Sequence, residues 1–100
     1  MSEIDVITNQ VINGFSPNKI ILFGSRAKGN VRATSDYDIC IIANTDDKRA
    51  YLTRLYCEVN SDYPIDFLLY TPTEWEDCVN DKTSFAHKIS KEGIVLYGGQ

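Results

Sequence analysis

Apolar residues along this chain fall into short continuous runs and into longer segments with helical spacing. The continuous runs, rich in isoleucine and leucine, are typical of strands buried on both faces. The longer segments repeat apolar residues at intervals of three or four, as helices packed along one side do. In chain order the pattern predicts α, β, short α, β, α, β, α, α, β, with strands over residues 20–23, 37–43, 65–70 and 94–97.

Capping residues predict where the helices begin and end. Ser2 is a suitable N-cap for the first helix and Gly14 a suitable stop, while Thr71 is the N-cap of a helix that begins with proline. The Asp46-Asp47 pair could be taken for metal ligands. We interpret it instead as the start of the helix over residues 48–60, with one aspartate as its N-cap.

The second predicted strand begins with two carboxylates on the same side. Residues i and i+2 of a strand point the same way, so Asp36 and Asp38 project together while Tyr37 points to the opposite face. Two such carboxylates repel each other by roughly 4 kcal/mol at ~4 Å and an effective dielectric constant of about 20. A shared proton or a divalent cation would offset this repulsion, and oxygen ligands suit Mg²⁺ or Mn²⁺.

A glycine-serine turn follows the first predicted strand. Gly24 allows close backbone approach or a positive φ, and Ser25 is a suitable N-cap for one helical turn that Gly29 would end. Free N–H groups at such a turn bind phosphate oxygens, and Arg26 and Lys28 add positive charge. The segment lacks the G-x-x-x-x-G-K-[ST] pattern of a Walker P-loop.

The two features together resemble a known family. Gly24-Ser25, ten residues and then Asp36-x-Asp38 are similar to the signature of the nucleotidyltransferase superfamily that has the DNA polymerase β palm. The string GSRAKG…SDYDI, continued to GIVLYG near the end, resembles the minimal nucleotidyltransferases of the antitoxin type. The resemblance implies that the motif aspartates bind divalent metal, that Gly24 and Ser25 bind nucleotide phosphates, and that a third carboxylate lies on a neighbouring strand.

Asp66 meets that third requirement. It is the only charge in the strand predicted over residues 65–70, where a lone carboxylate is costly unless it is paired or bound to metal. Without the first two aspartates it would be interpreted as an edge residue or a salt-bridge partner. The predicted site therefore comprises Asp36, Asp38 and Asp66 as catalytic and metal-binding residues, and Gly24, Ser25, Arg26 and Lys28 as nucleotide-binding residues.

The resemblance also implies a fold and an activity. The fold would be an α/β (α+β) palm, a mixed sheet with helices packed on one face and the metal site on the other. The activity would be transfer of AMP from ATP, with one or two Mg²⁺ ions or Mn²⁺ in their place, to a tyrosine of a partner HEPN-domain ribonuclease toxin. Two alternatives stay open: an antitoxin that acts by binding alone, and a nucleotidyltransferase with another acceptor, such as a small molecule or a nucleic-acid end.

Composition limits the class of protein. The 100 residues make a single domain over residues 1–100, with 43% apolar and 24% charged residues, as is ordinary for a soluble globular protein. No apolar run approaches the roughly 18 residues of a membrane span. The net charge of −4 argues against strong nucleic-acid binding, although Arg26, Lys28 and Arg32 form a local basic cluster.

Several single residues carry weaker expectations. The three cysteines form no metal-binding pattern and are predicted to be reduced, buried or half-buried thiols of a cytoplasmic protein. His87 is predicted to lie at the surface. Tyr51, Tyr63 and Trp75 could serve a dimer or partner interface, with packing rather than base stacking preferred for Trp75.

Overall fold

The computed structural model describes residues 2–29 and 36–98 and gives them four helices and four strands. Caps start the helices as their residue types predict: the side chains of Ser2, Asp47 and Thr71 each accept a hydrogen bond from a backbone N–H three residues on. The elements in chain order are α1 (Glu3–Phe15), β1 (Lys19–Phe23), β2 (Tyr37–Ile42), α2 (Lys48–Glu58), β3 (Ile65–Tyr70), α3 (Pro72–Val79), α4 (Phe85–Glu92) and β4 (Ile94–Tyr97).

The four strands form one mixed sheet in the order β3-β2-β1-β4. β1 is antiparallel to both β2 and β4, whereas β2 and β3 run parallel. The two central strands are the isoleucine-rich runs of the sequence, which explains their burial. The register places Asp38 of β2 opposite Phe23 of β1 on one side and opposite Asp66 of β3 on the other.

Helices cover both faces of the sheet. One face packs against α1 and α2 through a large apolar cluster that includes Ile7, Ile39 and Leu55. The other packs against α3 and α4 through a smaller cluster that includes Cys40 and Ile89. The α/β class with a mixed sheet is confirmed, but the expectation of helices on one face only is wrong. Strands that are apolar at every position have two faces to bury.

Some element boundaries differ from the predicted ones. α1 continues past Gly14 to Phe15, and Ser16 ends it in the left-handed region at φ 47°, donating its N–H to the carbonyl of Ile12. The short helix expected after Ser25 is a turn. β2 and α2 stop one and two residues earlier than predicted. Arg32 lies outside the described residues.

Individual side chains also refine the expectations. His87 is half-buried rather than at the surface, because its Nδ1 lies 3.0 Å from the carbonyl oxygen of Val79. Trp75 packs edge-on against Tyr70, as expected of a packing residue. The hydroxyl of Tyr51 donates to the carbonyl of Phe15, which ties this side chain to the end of α1.

The three cysteines are free thiols in three different environments. Cys40 is buried and Cys78 half-buried, as predicted, but Cys57 on α2 is exposed, so that part of the prediction is wrong. Within residues 2–29 and 36–98, no helix has both the length and the apolar composition that crossing a membrane requires.

Candidate functional site

The Gly24-Ser25 turn lies directly against Asp38. Gly24 follows β1 with a φ of +77°, a conformation that favours glycine. A Cβ atom on Gly24 would collide with Oδ2 of Asp38 and would lie 3.1 Å from its Cγ. The glycine therefore lets the backbone of the turn approach the carboxylate closely. The predicted phosphate-binding turn and the predicted metal ligand occupy the same place in the fold.

The residues after Gly24 form a single hydrogen-bonded turn. The carbonyl of Gly24 accepts from the N–H groups of Ala27 and Lys28, at 3.2 and 3.3 Å, and Gly29 ends the turn at φ +80°. Ser25 is exposed at the start of this turn. A polar loop residue at the end of a buried strand is thus presented to solvent, where its hydroxyl and backbone are accessible to a ligand.

The three aspartates lie around the beginning of β2. Asp38 is half-buried within the strand, Asp36 is exposed just before it, and Asp66 is exposed on the neighbouring β3. Asp38 and Asp66 are direct partners in the parallel register, so their side chains leave the sheet on the same face. That face is the one covered in part by α3 and α4.

The electrostatics of Asp38 reflect these neighbours. Burial raises the pKa of the Asp38 carboxyl above its usual value, and the negative charges of Asp66 and Asp36 raise it further. Asp36 and Asp66 are therefore each close enough to Asp38 to repel its charge. In residues 2–29 and 36–98, however, no three acidic, histidine or cysteine side chains are already arranged around a common metal position. The donor chemistry fits a hard divalent cation, which would relieve the repulsion.

A cavity of about 300 Å³ opens beside Gly24 and Asp38. Its size is at the lower end of the range for ligand pockets, on the order of 300–1,000 Å³. The end of β1 and the turn after it form one wall of the cavity, and α4 forms the opposite wall. The lining residues are Phe23, Gly24, Lys28, Asp38, Phe85, Lys88, Ile89 and Glu92.

Of the two cations predicted for the nucleotide, only Lys28 lines this cavity. Its Nζ lies 3.0 Å from Oε1 of Glu92, and both side chains are about half exposed. The hydrogen bond from Lys28 lowers the pKa of the Glu92 carboxyl. An ion pair this exposed contributes only about 0–1 kcal/mol, so a ligand can exchange it readily.

Arg26 points elsewhere. Its guanidinium carbon lies 3.9 Å from the ring centroid of Tyr37 and 5.3 Å from that of Tyr63. Tyr37 belongs to the cluster under α1 and α2, on the face of the sheet opposite Asp38. Arg26 thus stacks on aromatic rings on the far side of β2 and is not among the cavity-lining residues.

The sequence motifs do not predict the contribution of α4 to this cavity. Phe85, Lys88 and Glu92 lie at positions i, i+3 and i+7 of this helix, so they share one side of it. That spacing is visible in the sequence. Nothing in the spacing says that this side faces the Gly24 turn, because the packing of α4 against β1 decides it.

The comparison with known proteins settles the family. Residues 5–100 match the family model described as polymerase beta, nucleotidyltransferase. The chain belongs to the polymerase β nucleotidyltransferase family. It is also similar to a Methanocaldococcus jannaschii protein named "Putative protein adenylyltransferase MJ0604", with 36% identity over 81 residues that cover 79% of this chain and 77% of that protein.

Membership in the polymerase β nucleotidyltransferase family confirms the fold and the transferase class that the Gly24-Ser25 and Asp36-x-Asp38 motifs indicate. The specific roles of the aspartates and of the turn stay predictions. For these the structure supplies placement: Gly24, Lys28 and Asp38 line the cavity, and Asp66 leaves the sheet on the same face as Asp38. Ser25, Asp36 and Asp66 are not among the residues that line it.

Proposed function

We propose that this domain transfers AMP from ATP to a hydroxyl group, and that the acceptor is a tyrosine of a partner protein. The observation that carries the proposal is the close approach of the Gly24 backbone to the Asp38 carboxylate beside a cavity. This contact places a backbone turn that suits phosphate binding beside a carboxylate that suits cation binding. The relative from M. jannaschii, whose name includes protein adenylyltransferase, supports a protein as the acceptor.

Asp36, Asp38 and Asp66 would hold one or two Mg²⁺ ions, with Mn²⁺ as a substitute. When bound, such an ion supplies Lewis-acid stabilisation of the charge on the phosphate oxygens. The raised pKa of Asp38 supports this assignment, since two neighbouring negative charges contribute to it. A bound cation would reverse their effect on Asp38 and favour its ionised form.

The remaining roles belong to groups of this chain. The Gly24 backbone and the backbone and hydroxyl of Ser25 bind the β- and γ-phosphates. Lys28 neutralises charge on the leaving pyrophosphate, and its place in the cavity suits it better than the stacked Arg26. Asp66 orients the acceptor hydroxyl and accepts its proton. The acceptor oxygen forms a bond to the α-phosphorus as the bond to pyrophosphate breaks.

A HEPN-domain ribonuclease toxin is the partner that we propose, and neutralisation of that toxin is the biological role. The support is the resemblance of the motif string to antitoxin-type minimal nucleotidyltransferases, together with family membership. The free thiols of the three cysteines suit a cytoplasmic location.

The test is mass spectrometry of the co-expressed partner after incubation with this protein, ATP and Mg²⁺. We expect a gain of one or more AMP masses on a tyrosine. Asp38→Ala and Asp66→Asn should abolish the gain. The matched control is Asp46→Ala, which removes an exposed acid that is not the N-cap of α2.

Other outcomes would point to the alternatives. A partner that binds tightly but stays unmodified would replace the proposal with a binding-only antitoxin. Modification that survives Asp66→Asn at full rate would refute the assignment of Asp66. Turnover of ATP with a small-molecule or nucleic-acid acceptor, and none with the protein, would replace the acceptor class.

A further inference from the structure

The helix α4 forms one wall of the cavity, and no sequence motif predicts this. Phe85, Lys88, Ile89 and Glu92 of this helix line the same space as Gly24 and Asp38. The wall is apolar at Phe85 and Ile89, and Phe85 packs edge-on against Phe23 with ring centroids 5.6 Å apart.

Two lysines and two acids line this cavity, and they are not equivalent. Lys28 forms a salt bridge with Glu92 at 3.0 Å. Lys88 affects the same carboxylate only through a longer-range electrostatic contribution, the smallest of those that lower its pKa. The Lys28–Glu92 pair is internally neutral. Apart from this pair, the charged residues of the lining are Asp38 on the sheet side and Lys88 on the helix side.

We propose that Lys88 binds the triphosphate of the nucleotide from the α4 side of the cavity. This inference rests on the function proposed above and adds a specificity-determining residue to that site. A polyphosphate between the Gly24 turn and α4 faces backbone N–H groups on one side and the Lys88 ammonium on the other. The modest volume of the cavity, about 300 Å³, suits the phosphate chain rather than a whole nucleotide.

α4 also offers a matched control. Lys91 lies on the same helix, is exposed like Lys88, and is not among the cavity-lining residues. Lys88→Ala and Lys91→Ala remove the same charge from the same helix, three positions apart. An effect of overall net charge should therefore be shared, and an effect through the cavity should separate them.

The experiment is isothermal titration calorimetry with Mg²⁺ and the ATP analogue whose α- and β-phosphorus atoms are joined by a methylene group, because this analogue cannot transfer AMP. Lys88→Ala should weaken binding of the analogue about tenfold or more, the loss expected for one charge-assisted hydrogen bond. Binding of AMP, which lacks the β- and γ-phosphates, should change little. Lys88→Arg should retain most of the affinity, and Lys91→Ala should resemble the unchanged protein.

The outcomes separate this inference from the proposed function. If the unchanged protein binds the analogue and Lys88→Ala binds it equally well, the role of Lys88 is refuted while nucleotide binding stands. Equal losses in the Lys88 and Lys91 variants would refute it too, since they would show a general charge effect. If the unchanged protein binds neither the analogue nor AMP, the nucleotide function itself fails and the inference fails with it.

Discussion

Replacing Gly24 by alanine tests the structural core of the site. The substitution introduces a Cβ at a φ of +77°, which costs an L-residue about 1–2 kcal/mol. The new atom also collides with Oδ2 of Asp38 and comes within 3.1 Å of its Cγ. The carboxylate can rotate away, at a cost of about 0.5–1.5 kcal/mol for leaving its rotamer. We expect a loss of about 1.5–3.5 kcal/mol in the free energy of unfolding.

Gly29→Ala is the matched control for this change. Gly29 lies at φ +80°, almost the same conformation, but a Cβ there meets no atom within 4 Å. The Gly29→Ala variant should lose only about 1–2 kcal/mol in the free energy of unfolding, the cost of the backbone conformation. The difference between the two variants therefore isolates the collision with Asp38. In an Asp38→Ala background the difference between the two glycine substitutions should shrink, because Oδ2 and Cγ are gone and only the Cβ of residue 38, at 3.3 Å, stays close to the new atom.

Urea denaturation and AMP transfer to the partner are the two assays. Both variants should remain folded in the absence of urea, since small domains have about 5–15 kcal/mol of stability. Gly24→Ala should lose about 100-fold in transfer, the effect of displacing a catalytic group by about 1 Å. Gly29→Ala should retain most of its activity. If Gly24→Ala is no less stable and no less active than Gly29→Ala, the close approach of the turn to Asp38 has no functional role.

Two further predictions concern stability and reactivity. Burial raises the pKa of the Cys40 thiol to about 12. An alkylating reagent at pH 8 should therefore modify the exposed Cys57 first and Cys40 only on unfolding. Mass spectrometry of peptides would show the order of labelling, and early labelling of Cys40 would contradict its burial. Hydrogen bonds from the Ser61 hydroxyl and the Asp62 N–H lower the pKa of Glu3 below its ordinary 4.5. The contribution of Glu3 to the free energy of unfolding is present above pH 4.5 and is lost as the pH falls through its lower pKa in the folded state. Glu3→Gln should therefore flatten the acid side of the curve of stability against pH. An unchanged acid side would refute this.

Local patterns were sufficient to predict the order of the main elements. Apolar runs predict the central strands because a strand buried on both faces has no solvent-facing positions for polar residues to alternate on. The edge strand β4 is also an apolar run, although most of it is exposed. Capping side chains gave the helix starts because each cap bonds to a backbone N–H only three residues away. The predicted end of α1 at Gly14 is wrong because Gly14 tolerates a helical conformation, and Ser16 takes the left-handed position instead.

Local sequence patterns do not predict how the helices and strands pack against one another. Covering the second sheet face required knowing that α3 and α4 fold back onto Cys40 and Ile42, contacts that are distant in the chain. The same applies to Arg26, whose sequence neighbours suggest phosphate but whose guanidinium stacks on Tyr37 and Tyr63. Cation–π contacts depend on where rings lie in three dimensions, and no spacing rule reports that.

Charge placement explains how an acidic domain with a net charge of −4 can accept a polyanion. The negative charges of Asp36, Asp38 and Asp66 gather at one end of β2, where a cation would balance them, while Lys28 and Lys88 line the cavity beside them. The Lys28–Glu92 pair is half exposed and weak, so the proposed triphosphate can replace Glu92 as the partner of Lys28. The attraction of the triphosphate to Lys28 and Lys88 together then exceeds the attraction within the single exposed Lys28–Glu92 ion pair. Because charges more than about 8–10 Å apart are screened at physiological salt, the net charge of the domain matters less to this ligand than the few groups around the cavity.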